Sequence, residues 1–205
     1  MAMQPHLLVD EGDLNDIALI PGDPGRVDRI AAQCDSSEVV AENREYKVVN
    51  AEYDGVPLTI CSTGIGCPSA TIALEEMHAV GVETVIRVGT IGALQQDIEI
   101  GDMIVATGAA KDEGTTRRYE KDTYPAVPDY GVLSALVDSA ESNEEDVHVG
   151  PIASDDAFYA ETTSTSKRGR KRTSSPSRWR RPPSSPSRAA RACARVPSVP
   201  SMATS

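Results

Sequence analysis

Short apolar runs separated by glycine- and proline-rich turns fill the first three quarters of the chain, and their period switches between strand-like and helix-like spacing. Residues 16–20 read as a strand. Pro21-Gly22-Asp23-Pro24 then turns the chain into a helix over about 25–32, with Asp23 as N-cap and Pro24 at the first helical position. Tyr46–Tyr53 and Val56–Cys61 flank Asp54-Gly55, a hairpin signal. Ser62 to Ser69 is a glycine-rich turn, followed by an amphipathic helix to Val80 that ends at Gly81. Residues 84–88 form a continuous β-branched run, the pattern of a strand covered on both faces. Further strands are predicted over 103–107 and 147–152, with a surface helix over 131–142 between them. Residues 111–121 have no strong periodicity and are expected to be a mobile surface loop. Strands alternating with helices in this way predict an α/β domain built on an open sheet.

Candidate chemistry gathers at the ends of the predicted strands. Arg87 lies inside the 84–88 run, and a guanidinium cannot shed its proton, so it needs either a ligand anion or one of the chain's carboxylates. The Gly89-Thr90-Ile91-Gly92 turn that follows lets backbone approach a ligand and adds the Thr90 hydroxyl. At the first helix, free amides around Gly22 suit a phosphate, and Arg26 sits in the first turn, where propensity alone does not favour a cation. Arg44, between Glu42 and Glu45, reads most simply as a solvated or locally paired charge. Phe158, in the polar turn Ser154-Asp155-Asp156-Ala157-Phe158-Tyr159, is either a core residue or a stacking surface for a flat base. The Gly64-Ile65-Gly66 turn resembles a dinucleotide fingerprint only loosely, because Ser69 stands where the third glycine is required.

Charge divides the chain near Glu161. Up to that residue 31 acidic side chains face nine basic ones, a net −22, whereas residues 162–205 hold 11 Lys and Arg and no acid, a net +11. The tail has no Leu, Ile, Phe or Tyr and cannot offset its ordering entropy by burial, so 162–205 is expected to be a disordered basic segment beside a domain over 1–161. The acidic part has the balance of a halophile-type cytoplasmic protein and argues against nucleic acid or an anionic membrane as its partner. No apolar run approaches the roughly 18 residues of a membrane span, and the polar start is not a signal peptide. Cys34, Cys61, Cys67 and Cys193 have no C-x-x-C spacing, which points to reduced thiols and no metal site.

Four of these motifs in order resemble the nucleoside phosphorylases of the uridine phosphorylase and hexameric purine nucleoside phosphorylase type. They are Pro21-Gly22-Asp23-Pro24-Gly25-Arg26-Val27, Cys61 through Ser69, Ile86-Arg87-Val88-Gly89-Thr90-Ile91-Gly92-Ala93, and Ser154 through Tyr159. The resemblance covers residues 6–161. It implies a three-layer α/β/α sandwich around a mixed central sheet, in dimers that associate into hexamers. It also implies that Gly22, Arg26, Arg87 and Thr90 hold phosphate, joined by Arg44 from a neighbouring subunit. His6 would reach a neighbouring subunit's ribose, a role the residues alone do not suggest, and Phe158 would stack on the base. His78 and His148 receive no role. Inorganic phosphate is then the co-substrate of a pentosyl transfer from a nucleoside, with no metal and no other cofactor.

Such a family continues past the Phe-Tyr motif with a Met-Glu ribose site and, in purine enzymes, an acid that protonates the leaving base. No carboxylate follows Glu161 here, so the chain is expected to hold the phosphate half of such a site and to be inactive as it stands. The Arg, Ser and Thr bias of the tail is what acidic codons give when read out of frame, which predicts a frameshifted segment. Two other readings remain: a nucleosidase of the same fold that uses water, and a non-catalytic phosphate-binding remnant whose basic tail is an interaction segment.

Overall fold

The computed structural model describes residues 3–143, 147–159 and 191–194. Its strands are β1 Ile17–Ile20, β2 Ser36–Asn43, β3 Tyr46–Tyr53, β4 Val56–Cys61, β5 Thr84–Gly89, β6 Met103–Asp112, β7 Val147–Asp155 and β8 Arg191–Ala194. The helices are α1 Pro24–Ala31, α2 Cys67–Ala79 and α3 Tyr130–Ser142, with a 3-10 turn at Thr116–Arg118. The eight strands form one mixed sheet in the order β2-β3-β4-β1-β5-β8-β6-β7. Among the described residues no helix is long and apolar enough to cross a membrane.

Period-two burial builds the layers. On one face Ala18, Ile20, Tyr46, Val48 and Cys61 pack with Ala73 and Met77 of α2, with its C-cap Val80 and with Leu7 and Val9 of the N-terminal segment. On the other face Val49, Ala51, Leu58 and Ile60 pack with Val27 and Ala31 of α1. Adjacent residues of β3 and β4 thus point into opposite cores, as the pleat requires, and the result is the expected three-layer α/β/α arrangement around a mixed sheet. A third, smaller cluster joins α3 to β6 and β7 through Val105, Ala140 and Val147.

β1 pairs in parallel with β4 on one side and β5 on the other. From the end of β1 the chain passes to one side through α1 and returns to the other through α2, which makes that end a switch point where a crevice opens. Local chemistry agrees. Asp23 caps α1 by accepting from the Gly25 amide at 3.0 Å, with Pro24 in the first turn. Asp54 and Gly55, with φ of 50° and 75°, make the tight turn between β3 and β4.

Several elements depart from the sequence reading. β2, which no periodicity marked, is a mostly exposed edge strand antiparallel to β3, and its one bulge lies between Val39 and Ala41. β5 is not covered on both faces: Val85 packs towards α2, whereas Ile86 and Val88 are only half-buried and lie outside the α1 core. The 111–121 segment is not a simple surface loop. β6 runs on to Asp112, and the buried Glu113 accepts from the Thr115 and Thr116 amides and from the Thr116 hydroxyl, fixing the 3-10 turn. Within the basic tail, Arg191–Ala194 forms β8, and the rest of the segment read as disordered and out of frame lies outside the described residues.

Candidate functional site

The carboxyl ends of β1, β4 and β5 meet at the switch point. Thr63, just past β4, donates its amide to the Pro21 carbonyl at 3.0 Å and ties two of these ends together. Gly64 follows at φ +68°, and a Cβ there would stand 2.8 Å from Glu45 Cγ, so no side chain fits. At Gly22 a Cβ would lie 3.1 Å from the Gly64 carbonyl oxygen and 3.8 Å from Arg87 Nη2. The same guanidinium atom lies 3.8 Å from where a Cβ of Gly89 would be. Arg87 therefore folds back between two glycines, using the space that their missing side chains leave.

Arg26 meets it from α1. Its Nη1 is 3.5 Å from the Val88 carbonyl oxygen, the outer limit of a hydrogen bond. Burial and then the charge of Arg26 push the Arg87 pKa below its ordinary 12.5, although the guanidinium remains charged. Arg87 is at the same time solvent-exposed, which is consistent: protein crowds one side of the guanidinium and water reaches the other from the open crevice. Among the described residues neither arginine forms an ion pair. Two converging cations thus face the crevice with no carboxylate between them, beside the exposed Thr90, next after β5.

The α1 amides contribute less than expected. Asp23 already takes the Gly25 amide through its side chain and the Arg26 amide through its carbonyl, and its carboxylate holds Arg29 at 3.2 Å. A carboxylate at that helix end opposes a second anion, so the arginines rather than the dipole carry the site.

His6 and Arg44 belong to a different place. His6 Nδ1 lies 2.5 Å from Glu76 Oε1, its amide reaches the same carboxylate, and its carbonyl accepts from Asn43 Nδ2 at 2.8 Å. Arg44 is exposed at the tip of the β2–β3 hairpin with φ 55°, and among the described residues it pairs with neither Glu42 nor Glu45. No hydrogen bond among the described residues joins His6 or Arg44 to Arg26 or Arg87. Phe158 and Tyr159 are 83% and 95% exposed and stack edge to face at 5.1 Å, which removes core packing as the explanation of Phe158.

A groove of about 690 Å³ lies beside His6 and not at the arginines. α2, Arg118, Tyr119 and Asp156 line it, with Glu75 and Glu76 towards α2. Its acidic, mostly apolar wall does not suit an anion, unlike the crevice at Arg26 and Arg87. Near its edge the Cys67 thiol and the Glu113 and Asp156 carboxylates lie within 4.8 Å of one another. Glu113 is already engaged by Thr115 and Thr116, and Asp156 accepts from the Gly114 amide at 2.9 Å. Burial and the carboxylates nearby push the Cys67 thiol up, away from the thiolate that a metal needs. Glu113 and Asp156 hold that turn, and Cys67 Sγ lies 3.7 Å from Ser154 Oγ.

Glu76 is the partner of the candidate residue His6 that sequence reasoning missed. Its signal was there: Ala73, Glu76 and Met77 are the buried residues of α2, so a glutamate sits in the helix's inner stripe and must meet donors.

The model of the Phosphorylase superfamily matches residues 16–177. The chain belongs to the phosphorylase superfamily. The family match spans β1 to β7 and runs past the change in composition at Glu161. Within the superfamily the chain is 71% identical over 162 residues to a guanosine phosphorylase of Halorubrum lacusprofundi, covering 79% of this chain and 67% of that protein. It is 46% identical to a uridine phosphorylase of Thermococcus kodakarensis, covering 77% of this chain and 57% of that one. The solved uridine phosphorylase of Vibrio fischeri superposes with a TM-score of 0.78 at 41% identity, over 83% of this chain and 71% of that chain. Against the uridine phosphorylases of Thermococcus kodakarensis and Escherichia coli the chain spans less than two thirds of their length.

Proposed function

We propose that this chain carries the phosphate-binding half of a nucleoside phosphorylase, a pentosyltransferase that cleaves the N-glycosidic bond of a nucleoside with phosphate as nucleophile. The observation that carries the reading is the Arg26–Arg87 pair, convergent at the switch point and without a carboxylate. Phosphorolysis needs an anion fixed beneath the anomeric carbon while the glycosidic bond lengthens and the sugar becomes cationic. Two guanidinium groups and the Thr90 hydroxyl can hold that nucleophile by charge-assisted hydrogen bonds and orient it for attack. Arg44 of a neighbouring subunit would join the phosphate site, and His6 of a neighbouring subunit and Phe158 would complete the nucleoside side, which fits the separation of His6 and Arg44 from the arginines in a single chain. A nucleosidase has no phosphate to hold, and the unpaired arginines favour the phosphorylase over it.

The test is titration calorimetry of inorganic phosphate into the full chain and into Arg87→Ala. Hydrogen bonds to charged groups contribute about 1.5–3 kcal/mol, so the variant should bind phosphate at least about tenfold more weakly. Equal affinity in the two would remove Arg87 from the site. Guanosine, named for the relative at 71% identity, is the first nucleoside to assay, and uridine the second. Base release that does not depend on phosphate would turn the reading to the nucleosidase.

A further inference from the structure

Two arginines of α1 stand within reach of one carboxylate. Asp23 is the N-cap, so Arg26 occupies the third helical position and Arg29 the sixth. A side chain at the third position folds back readily onto the cap residue, which is the geometry of a capping box. Arg26 does not do so. It turns to the Val88 carbonyl, one residue beyond Arg87, while Asp23 Oδ2 takes Arg29 Nη2 at 3.2 Å. A second bond fixes Arg29 in that pose, from its Nε to the Gly25 carbonyl oxygen at 3.2 Å.

Neither the helix dipole nor stability explains this choice. Arg29 lies in the last turn, where the dipole favours a cation, yet its guanidinium reaches back to the opposite end of α1. The Arg29 and Asp23 side chains are 69% and 54% exposed, and so open an ion pair adds little to stability. Its consequence lies in the crevice. Asp23 follows Gly22 directly, and Arg87 Nη2 fills the space beside that glycine. The other acid of α1, Asp28, is two positions from Arg26 and off its face of the helix, and Lys47 holds it at 2.6 Å. Each carboxylate that α1 brings near the crevice thus has a cation of its own, and among the described residues that cation is never Arg26 or Arg87.

We propose that Arg29 is a positioning residue of the phosphate site: by holding Asp23 it keeps that carboxylate from capturing Arg26, and so leaves Arg26 free for the anion. Without Arg29, Asp23 pairs with Arg26 and its charge opposes an anion arriving at the helix end. The effect on phosphate rests on the proposed function, whereas the choice between the two arginines does not.

That choice is tested first, without ligand, by NMR of the guanidinium groups in the full chain. The Arg26 Nε–H signal, assigned with Arg26→Lys, should move in Arg29→Ala and return when Asp23→Asn is added, since asparagine keeps the cap but not the charge. Backbone amide signals outside α1 should stay in place, which shows that the variants are folded. An Arg26 signal that does not move in Arg29→Ala overturns the proposal. Titration calorimetry of inorganic phosphate at about 0.1 M salt reads the consequence. Arg29→Ala should bind phosphate about two- to fivefold more weakly than the wild type, the range for one charge at a helix end, and Arg29→Lys should recover most of the loss. In the Asp23→Asn background Arg29→Ala should have no effect. Wild-type affinity in Arg29→Ala overturns the proposal. An equal loss with and without Asp23→Asn also overturns it, because Arg29 then acts only as a distant positive charge. A wild-type chain that binds no phosphate, with the Arg26 signal behaving as expected, supports the choice between the arginines and refutes the proposed function.

Discussion

Glu76 accepts from the backbone N–H of His6 at 3.1 Å and of Leu7 at 2.8 Å, besides its contact with His6 Nδ1. The carboxylate is only 7% exposed, and these donors replace the water it has lost. Glu76→Gln keeps the shape but turns one acceptor into a donor that faces other donors. A loss of about 1–3 kcal/mol is expected, read as a lower denaturant midpoint at unchanged slope. An unchanged midpoint would mean that Leu7 and Val9 packing alone holds the N-terminal segment. Cys61, behind it in the same core, gives a pH prediction. Burial, and then the charge of Glu76, raises its thiol from 9.0 to about 12. Above pH 9 the unfolded chain releases this proton and the folded chain keeps it until about 12, so the folded state binds more protons and stability falls as pH rises through that window. The slope is about 1.4 kcal/mol per pH unit, and below pH 9 this thiol contributes none. Tyr46, also raised by burial, adds a fall of the same sign above its ordinary value of 10.0. Cys61→Ala should therefore flatten the decline between pH 9 and 10, where Tyr46 contributes least. A decline as steep as in the parent chain would assign the alkaline loss elsewhere.

At the scale of elements, two glycines with similar φ separate strain from contact. Gly55, in the β3–β4 turn, has φ +75° and open space where a Cβ would go, whereas Gly64 has φ +68° and Glu45 Cγ at 2.8 Å. Gly55→Ala should cost about 1–2 kcal/mol for a left-handed residue. Gly64→Ala should cost a further 1–3 kcal/mol, roughly, for overpacking, and should weaken phosphate binding because its carbonyl abuts Gly22. Equal losses by chemical denaturation would show that Glu45 yields freely. The same physics explains what could be read from the chain. β1, the α1 cap, the β3–β4 hairpin and α2 were legible because turn chemistry and apolar period agree there. β2 was not, since an edge strand with Ser36, Ser37 and Glu38 exposed has no buried face to impose alternation. The full length of β6 was hidden because Gly108, Lys111 and Asp112 are unlikely strand formers, held by pairing with β7. Of the site, the convergence of Gly22, Arg26 and Arg87 followed from the motifs. His6 entered only by family resemblance, because its partner Glu76 lies 70 residues away in sequence.

For the whole molecule the deciding quantity is charge. Glu76 and Glu113 are the buried carboxylates among the described residues, so most of the −22 carried up to Glu161 lies where water and salt reach it. Like charges at that density repel across the folded surface and relax on unfolding, and this part of the instability is screened by salt. The Debye length falls from about 10 Å at 0.1 M salt to about 3 Å at 1 M, so thermal stability in potassium chloride should rise steeply up to about 1 M and level off beyond it. Each 1 kcal/mol gained corresponds to about 2–4 °C in Tm for a chain of this size. Exclusion effects, by contrast, keep growing with cosolute, and sucrose at low salt should not reproduce the early rise. The +11 carried by residues 162–205 works in the opposite sense, since its attraction to the acidic part is also screened. A chain ending at Glu161 should therefore depend more steeply on salt than the full chain wherever both melt cooperatively. If the full chain instead loses stability as salt is added, attraction between its two oppositely charged parts outweighs repulsion within the acidic one, and the basic segment is then an electrostatic clamp on the domain.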